Sequence, residues 1–121
     1  MSARAVRVLV ADDSVAFRGA AADVVAATPG FELVDATESG ERAVAIARTA
    51  RPDLVLMDVR MPGLGGIEAA RRIQAARRAT MVVLITADGD RATADEPTLT
   101  TIDKWSLSPA TLQTLWRDRP L

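Results

Sequence analysis

Two apolar runs in this sequence end on carboxylates: Val8-Leu9-Val10-Ala11 runs into Asp12 and Asp13, and Leu54-Val55-Leu56-Met57 runs into Asp58. If both runs are parallel strands of one sheet, their carboxyl ends share the edge at which open α/β sheets hold their ligands. Three carboxylates then meet in one crevice. Two such charges ~4 Å apart repel by about 4 kcal/mol at an effective dielectric of ~20, so the cluster requires protons or a cation. A ligand set made only of oxygens favours Mg²⁺, which takes one or two carboxylates together with waters and phosphate oxygens. A carboxylate can also attack phosphorus to give an aspartyl phosphate, a transfer that needs little beyond in-line positioning and charge neutralisation. Asp58 is the candidate nucleophile.

Two further apolar runs end on groups suited to a phosphoryl oxygen. Residues 81–85 run into Thr86, whose hydroxyl can donate a hydrogen bond. A threonine-rich run over 99–102 leads through Asp103 to Lys104. Lysine is a compact point charge, whereas arginine is a planar fork for bidentate contacts. Of the 15 basic residues, Lys104 alone is not arginine. Codon bias accounts for the arginines but not for the exception. Singly, an aspartate or threonine after a strand is an ordinary turn former or cap; the joint placement of Asp12, Asp13, Asp58, Thr86 and Lys104 is what points to a site.

Positioning them requires alternating strands and helices. After Asp13, Ser14 is a candidate N-cap, and Phe17, Ala21, Val24, Val25 and Thr28 recur at helical spacing up to Pro29-Gly30. A short strand follows over 31–36. Ser39-Gly40 then opens an alanine-rich helix that runs to Ala50, and Arg51-Pro52-Asp53 turns the chain into the second aspartate-terminated run. A loop over 59–66 leads to a third helix, reaching about residue 78. The continuous apolarity of 81–85 suits a parallel strand covered on both faces. Ser108-Pro109 opens the last helix as N-cap and first helical residue, with Leu112, Leu115 and Trp116 apolar. The alternation predicts a doubly wound α/β sheet. Residues 87–98 break it, because twelve residues containing Gly89 and Pro97 leave room for about two helical turns at most.

The bulk composition narrows the chemistry. A chain of 121 residues fits one domain, 1–121. No cysteine and no histidine are present, which excludes disulfides, thiolate or imidazole catalysis and a phosphohistidine carrier. The formal net charge of −1 gives no reason to expect nucleic-acid binding, and no apolar stretch nears the roughly 18 residues of a membrane span. The start reads directly into a strand, with no signal peptide expected, so the chain is expected in the cytoplasm. Arg71, Arg72, Arg77 and Arg78 read as a solvated helix face rather than a nucleic-acid site. Trp116 is expected in the core and Trp105 at the surface.

Val8-Leu9-Val10-Ala11-Asp12-Asp13-Ser14, the stretch from Pro52 through Asp58 to Met61-Pro62-Gly63, Gly66-Ile67-Glu68-Ala69 and Leu84-Ile85-Thr86-Ala87 together resemble the receiver domain of two-component response regulators. The resemblance covers most of the chain. It implies a flavodoxin-like five-stranded parallel sheet of order 2-1-3-4-5, here with a short or missing fourth helix. It implies that Asp58 takes a phosphoryl group from a histidine kinase or phosphotransfer protein. The metal, Mg²⁺, is then held by Asp13, Asp58 and the backbone carbonyl of Arg60, with Asp12 binding through water. Thr86 matches the switch hydroxyl and Lys104 the phosphate-binding lysine. The output partner is not implied; a homodimer is allowed.

Two positions depart from that family. Thr101 stands where an aromatic switch residue is usual, and Trp105 stands where a proline usually follows the lysine in a cis bond. A cis bond before a residue other than proline costs about 2.5–4 kcal/mol, so the bond is expected trans, which leaves Lys104 open to displacement. The alternative reading is a pseudo-receiver, a scaffold for interaction or dimerisation that ignores phosphate. A phosphohydrolase of the haloacid-dehalogenase type would need a second aspartate two residues after its nucleophile, and Arg60 stands there.

Overall fold

The computed structural model describes residues 4–87 and 99–120. Five strands, β1 (Val6–Ala11), β2 (Phe31–Thr37), β3 (Leu54–Asp58), β4 (Met81–Thr86) and β5 (Thr100–Asp103), alternate with helices α1 (Val15–Ala27), α2 (Gly40–Ala50) and α3 (Gly66–Ala76), and α4 (Pro109–Arg117) follows β5. All strand pairings are parallel and the order is β2-β1-β3-β4-β5. This is the doubly wound sheet expected from the alternation, in the flavodoxin-like order that the resemblance to receiver domains implies. The expected short or missing helix between β4 and β5 falls on residues 88–98, outside the described residues.

Period-two alternation distributes the strands' side chains between two cores. Leu9, Val55, Met57, Val82 and Leu84 face α2 and α3, meeting Ala43, Val44, Ala69, Ala70 and Ile73. Val8, Val10, Leu54, Leu56, Val83 and Ile85 face α1 and α4, meeting Ala21, Val25 and Leu112. Burial of each large aliphatic chain is worth about 1.5–3 kcal/mol, so this packing fixes the strand register and with it the height of every strand end.

Local signals set where helices begin. The hydroxyls of Ser14, Ser39 and Ser108 accept hydrogen bonds from the backbone N–H of Phe17, Arg42 and Thr111, with Pro109 in the first turn of α4. The third helix ends at Ala76, two residues short of its expected end, because Arg77 leaves helical geometry as an extended C-cap. Trp116 packs against the second core while Trp105 is 81% exposed. Among the described residues, no helix is long and apolar enough to cross a membrane.

Candidate phosphoacceptor and metal site

The parallel register carries the chemistry-bearing residues to one edge. Asp12 follows the last residue of β1, Asp58 is the last residue of β3 and pairs with Ile85, and Thr86 pairs with Asp103, which Lys104 follows. Carboxylate oxygens of Asp12, Asp13 and Asp58 all lie within 4.8 Å of one another. Asp12 and Asp58 are buried and Asp13 is exposed.

Each group is held by neighbours near in sequence. Asp12 Oδ1 accepts from the Ser14 backbone N–H at 2.8 Å, and its carbonyl accepts from Arg18 Nη1 at 2.7 Å. Asp58 Oδ1 accepts from the Arg60 backbone N–H at 3.3 Å, which folds the chain after β3 over the carboxylate. Gly66 permits that fold: a Cβ there would collide with the carbonyl of Asp58, so only glycine lets the start of α3 lie against the acceptor's backbone.

Lys104 reaches the acidic crevice. Its Nζ lies 3.1 Å from Asp12 Oδ2 and 3.8 Å from Asp58 Oδ2. No cis peptide bond occurs among the described residues, so the bond to Trp105 is trans as expected. What places the lysine is a single 3₁₀ turn over Lys104–Ser106, in which Asp103 Oδ1 accepts from Trp105 N at 2.9 Å. The Phe17 ring steadies its charge, with Nζ 4.7 Å from the ring centroid. Neither Phe17 nor Asp103 stands out as a site residue in the sequence, since one reads as helix core and the other as a strand end.

Thr86 is buried, and its hydroxyl donates to the carbonyl of Ile102 at 3.5 Å, turned towards β5 rather than into the acidic group. Thr101 is exposed on β5.

The carboxylates and one ammonium leave a net charge of about −2 in the crevice. Burial pushes the Asp58 carboxyl up from 3.8 to about 6, the Asp12 charge adding to the rise and Lys104 and the Arg60 N–H opposing it. Asp12 Oδ2 is buried and, although 3.1 Å from the ammonium, makes no well-aligned hydrogen bond. A buried carboxylate oxygen without a directed donor, beside two further carboxylates, fits a hard divalent cation. The donor set holds no nitrogen or sulfur ligand.

A parallel sheet of this order with acids, threonine and lysine at its carboxyl edge is the arrangement of a signalling receiver. The response regulator receiver domain family matches residues 8–103, and the chain belongs to that family. It is 46% identical over 89 residues to protein-glutamate methylesterase/protein-glutamine glutaminase 2 of Anaeromyxobacter dehalogenans, covering 74% of this chain and 26% of that protein. It is 41% identical over 81 residues to the response regulator GacA of Pseudomonas viridiflava, covering 67% of this chain and 38% of that protein. The chain therefore spans about a quarter to two fifths of the length of these curated relatives. Among solved structures, the response regulator domain of Thermotoga maritima CheB aligns with a TM-score of 0.80 at 27% identity, covering 94% of this chain and 96% of that one. The receiver domain of the response regulator NarL from Mycobacterium tuberculosis shares the fold, with a TM-score of 0.85 at 24% identity over 97% of this chain and 100% of that one.

Proposed function

We propose that residues 1–121 act as one cytoplasmic receiver domain whose Asp58 accepts a phosphoryl group from a histidine kinase or phosphotransfer protein, changing what the domain binds. The observation that carries this reading is the convergence of Asp12, Asp13 and Asp58 within 4.8 Å, with Lys104 Nζ 3.1 and 3.8 Å from two of them.

In the transfer, an Asp58 oxygen attacks phosphorus as the bond to the donor's imidazole nitrogen breaks, and that nitrogen keeps the electron pair. Asp58 must be ionised to attack, and with its carboxyl raised to about 6 it is mostly so at neutral pH. Lys104 offers its ammonium to a phosphoryl oxygen, and Thr86 must turn its hydroxyl away from Ile102 to offer another donor. Asp12, Asp13, Asp58 and the carbonyl of Arg60 are the groups to hold Mg²⁺, which when bound supplies the positive charge that the nucleophile and an incoming phosphoryl group need.

Mg²⁺ titration with beryllofluoride, a phosphoryl mimic, tests the reading. A receiver switch shows a rise in stability that requires both additives and is lost in Asp58→Ala. A phosphate-blind scaffold shows no linked change.

A further inference from the structure

At the edge of the sheet opposite the acidic crevice, the C-terminal ends of α2 and α3 enclose a second concavity of about 270 Å³. Its floor is apolar, built from Val44, Ala47, Ile73 and Ala76. Its rim carries Arg48, Arg51, Arg72 and Arg77, and among the described residues no acidic side chain lines it. That asymmetry stands out in a chain with a formal net charge of −1.

The four guanidiniums differ in how they are engaged. Arg77 is pinned: its Nη1 lies 2.7 Å from the carbonyl of Pro52, 3.0 Å from Thr80 Oγ1 and 3.3 Å from the carbonyl of Arg51. These contacts occupy one of its three nitrogens. Its remaining donors are held in place with no partner among the described residues, so little side-chain entropy is left for a ligand to remove. This corrects the sequence expectation for Arg77, which is a fixed cation rather than part of a solvated stripe. Arg72 uses Nε on Glu68 at 3.1 Å. Arg48 and Arg51 have no acidic partner among the described residues.

Arg51 occupies the left-handed C-cap of α2 at φ 49°, where glycine is the usual residue. The helix ends oppose an anion, each equivalent to about −0.5 charge, but the three arginines without an acidic partner among the described residues, Arg48, Arg51 and Arg77, outweigh two such ends.

We propose that this cleft binds a small amphiphilic organic anion, its acid group held among Arg48, Arg51 and Arg77 and its apolar body seated on Val44 and Ile73. Ligand pockets usually run from about 300 to 1,000 Å³, so the body is compact, of the size of a fused ring pair. This site is separate from the acceptor edge and does not depend on Asp58 chemistry.

The probe is 1-anilinonaphthalene-8-sulfonate, which combines a sulfonate with a ring body, titrated at constant ionic strength against the full chain. Saturable one-to-one fluorescence enhancement is expected, weakened at least tenfold in Arg48→Glu/Arg51→Glu and to an intermediate degree in Arg48→Gln/Arg51→Gln. Both positions are exposed, so these variants should fold, as circular dichroism would show. The sulfonate-free 1-anilinonaphthalene should bind at least tenfold more weakly than the anion. Trp105→Ala, which alters the most exposed large apolar side chain among the described residues, should leave the affinity unchanged. The proposal is overturned by an absence of saturable binding, by binding that survives both charge variants, by equal affinity for the neutral dye, or by loss of binding in Trp105→Ala.

Discussion

Replacing the acceptor, Asp58→Asn, should stabilise the metal-free protein at neutral pH. The carboxylate oxygens of Asp12, Asp13 and Asp58 lie within 4.8 Å of one another, and at an effective dielectric of ~20 a pair at that distance repels by about 3.5 kcal/mol. Lys104 offsets part of this, but it sits closer to Asp12 at 3.1 Å than to Asp58 at 3.8 Å, so its better partner survives the substitution. Asparagine also keeps an oxygen for the Arg60 N–H. The titration of Asp58 gives a second measure of the same cost. Its folded-state value of about 6 lies above 3.8, so the folded protein holds this proton more tightly than the unfolded chain. The unfolded state therefore binds fewer protons across that interval, and stability falls as pH rises from about 4 to about 6, then levels off. At ~1.4 kcal/mol per tenfold, the interval corresponds to about 3 kcal/mol, and solvent reaching the crevice mouth reduces this to about 1–3 kcal/mol. Urea unfolding of both proteins in chelator at several pH values is the assay. Asp58→Asn should be more stable by about 1–3 kcal/mol at pH ~7.5, with the gain shrinking towards zero near pH ~4. A variant less stable than wild type at pH ~7.5, or a gain that does not change with pH, would refute the charge-repulsion origin.

Other perturbations follow from the same geometry. Mg²⁺ at ten times its dissociation constant should stabilise the wild type by about 1.4 kcal/mol and Asp58→Asn by much less, read as a shift in the urea midpoint. Lys104→Met removes the ammonium set against two buried carboxylates and should lower metal-free stability at neutral pH by about 1–3 kcal/mol, with the loss fading in acid; urea unfolding across pH measures it. Gly66→Ala drives a Cβ into the Asp58 carbonyl and should cost about 2–4 kcal/mol in thermal or urea unfolding while slowing phosphoryl uptake. Trp105→Ala, at 81% exposure, should change stability by less than about 0.5 kcal/mol.

Much of the fold and half of the site were legible because one-dimensional signals control them. Apolar runs fix strands, serines fix helix starts, and parallel strands place Asp12, Asp58, Thr86 and Lys104 at one edge whatever the helices do. What the sequence hides is set in three dimensions. The shift in the Asp58 titration depends on burial and on the Asp12 charge, neither of which spacing reports. The reach of Lys104 depends on a one-turn 3₁₀ helix capped by Asp103 and on the Phe17 ring, neither of which the spacing reports. Asp53 reads as part of a turn, yet its carboxylate is buried and accepts from Arg4 Nη2 at 2.7 Å and the Arg7 backbone at 2.9 Å, tying the starts of β1 and β3 together. The cleft between α2 and α3 is equally hidden, since Arg48, Arg51 and Arg77 come together only when both helices end on the same side.

Borohydride reduction after exposure to phosphoramidate and Mg²⁺ tests the acceptor role most directly, because an aspartyl phosphate is reduced to homoserine that peptide mass mapping locates. Homoserine should appear at position 58, only with Mg²⁺, and in no peptide of Asp58→Ala. Absence of the modification at 58 in the folded wild-type protein, or its appearance at another aspartate instead, would contradict the assignment of Asp58 as the phosphoacceptor.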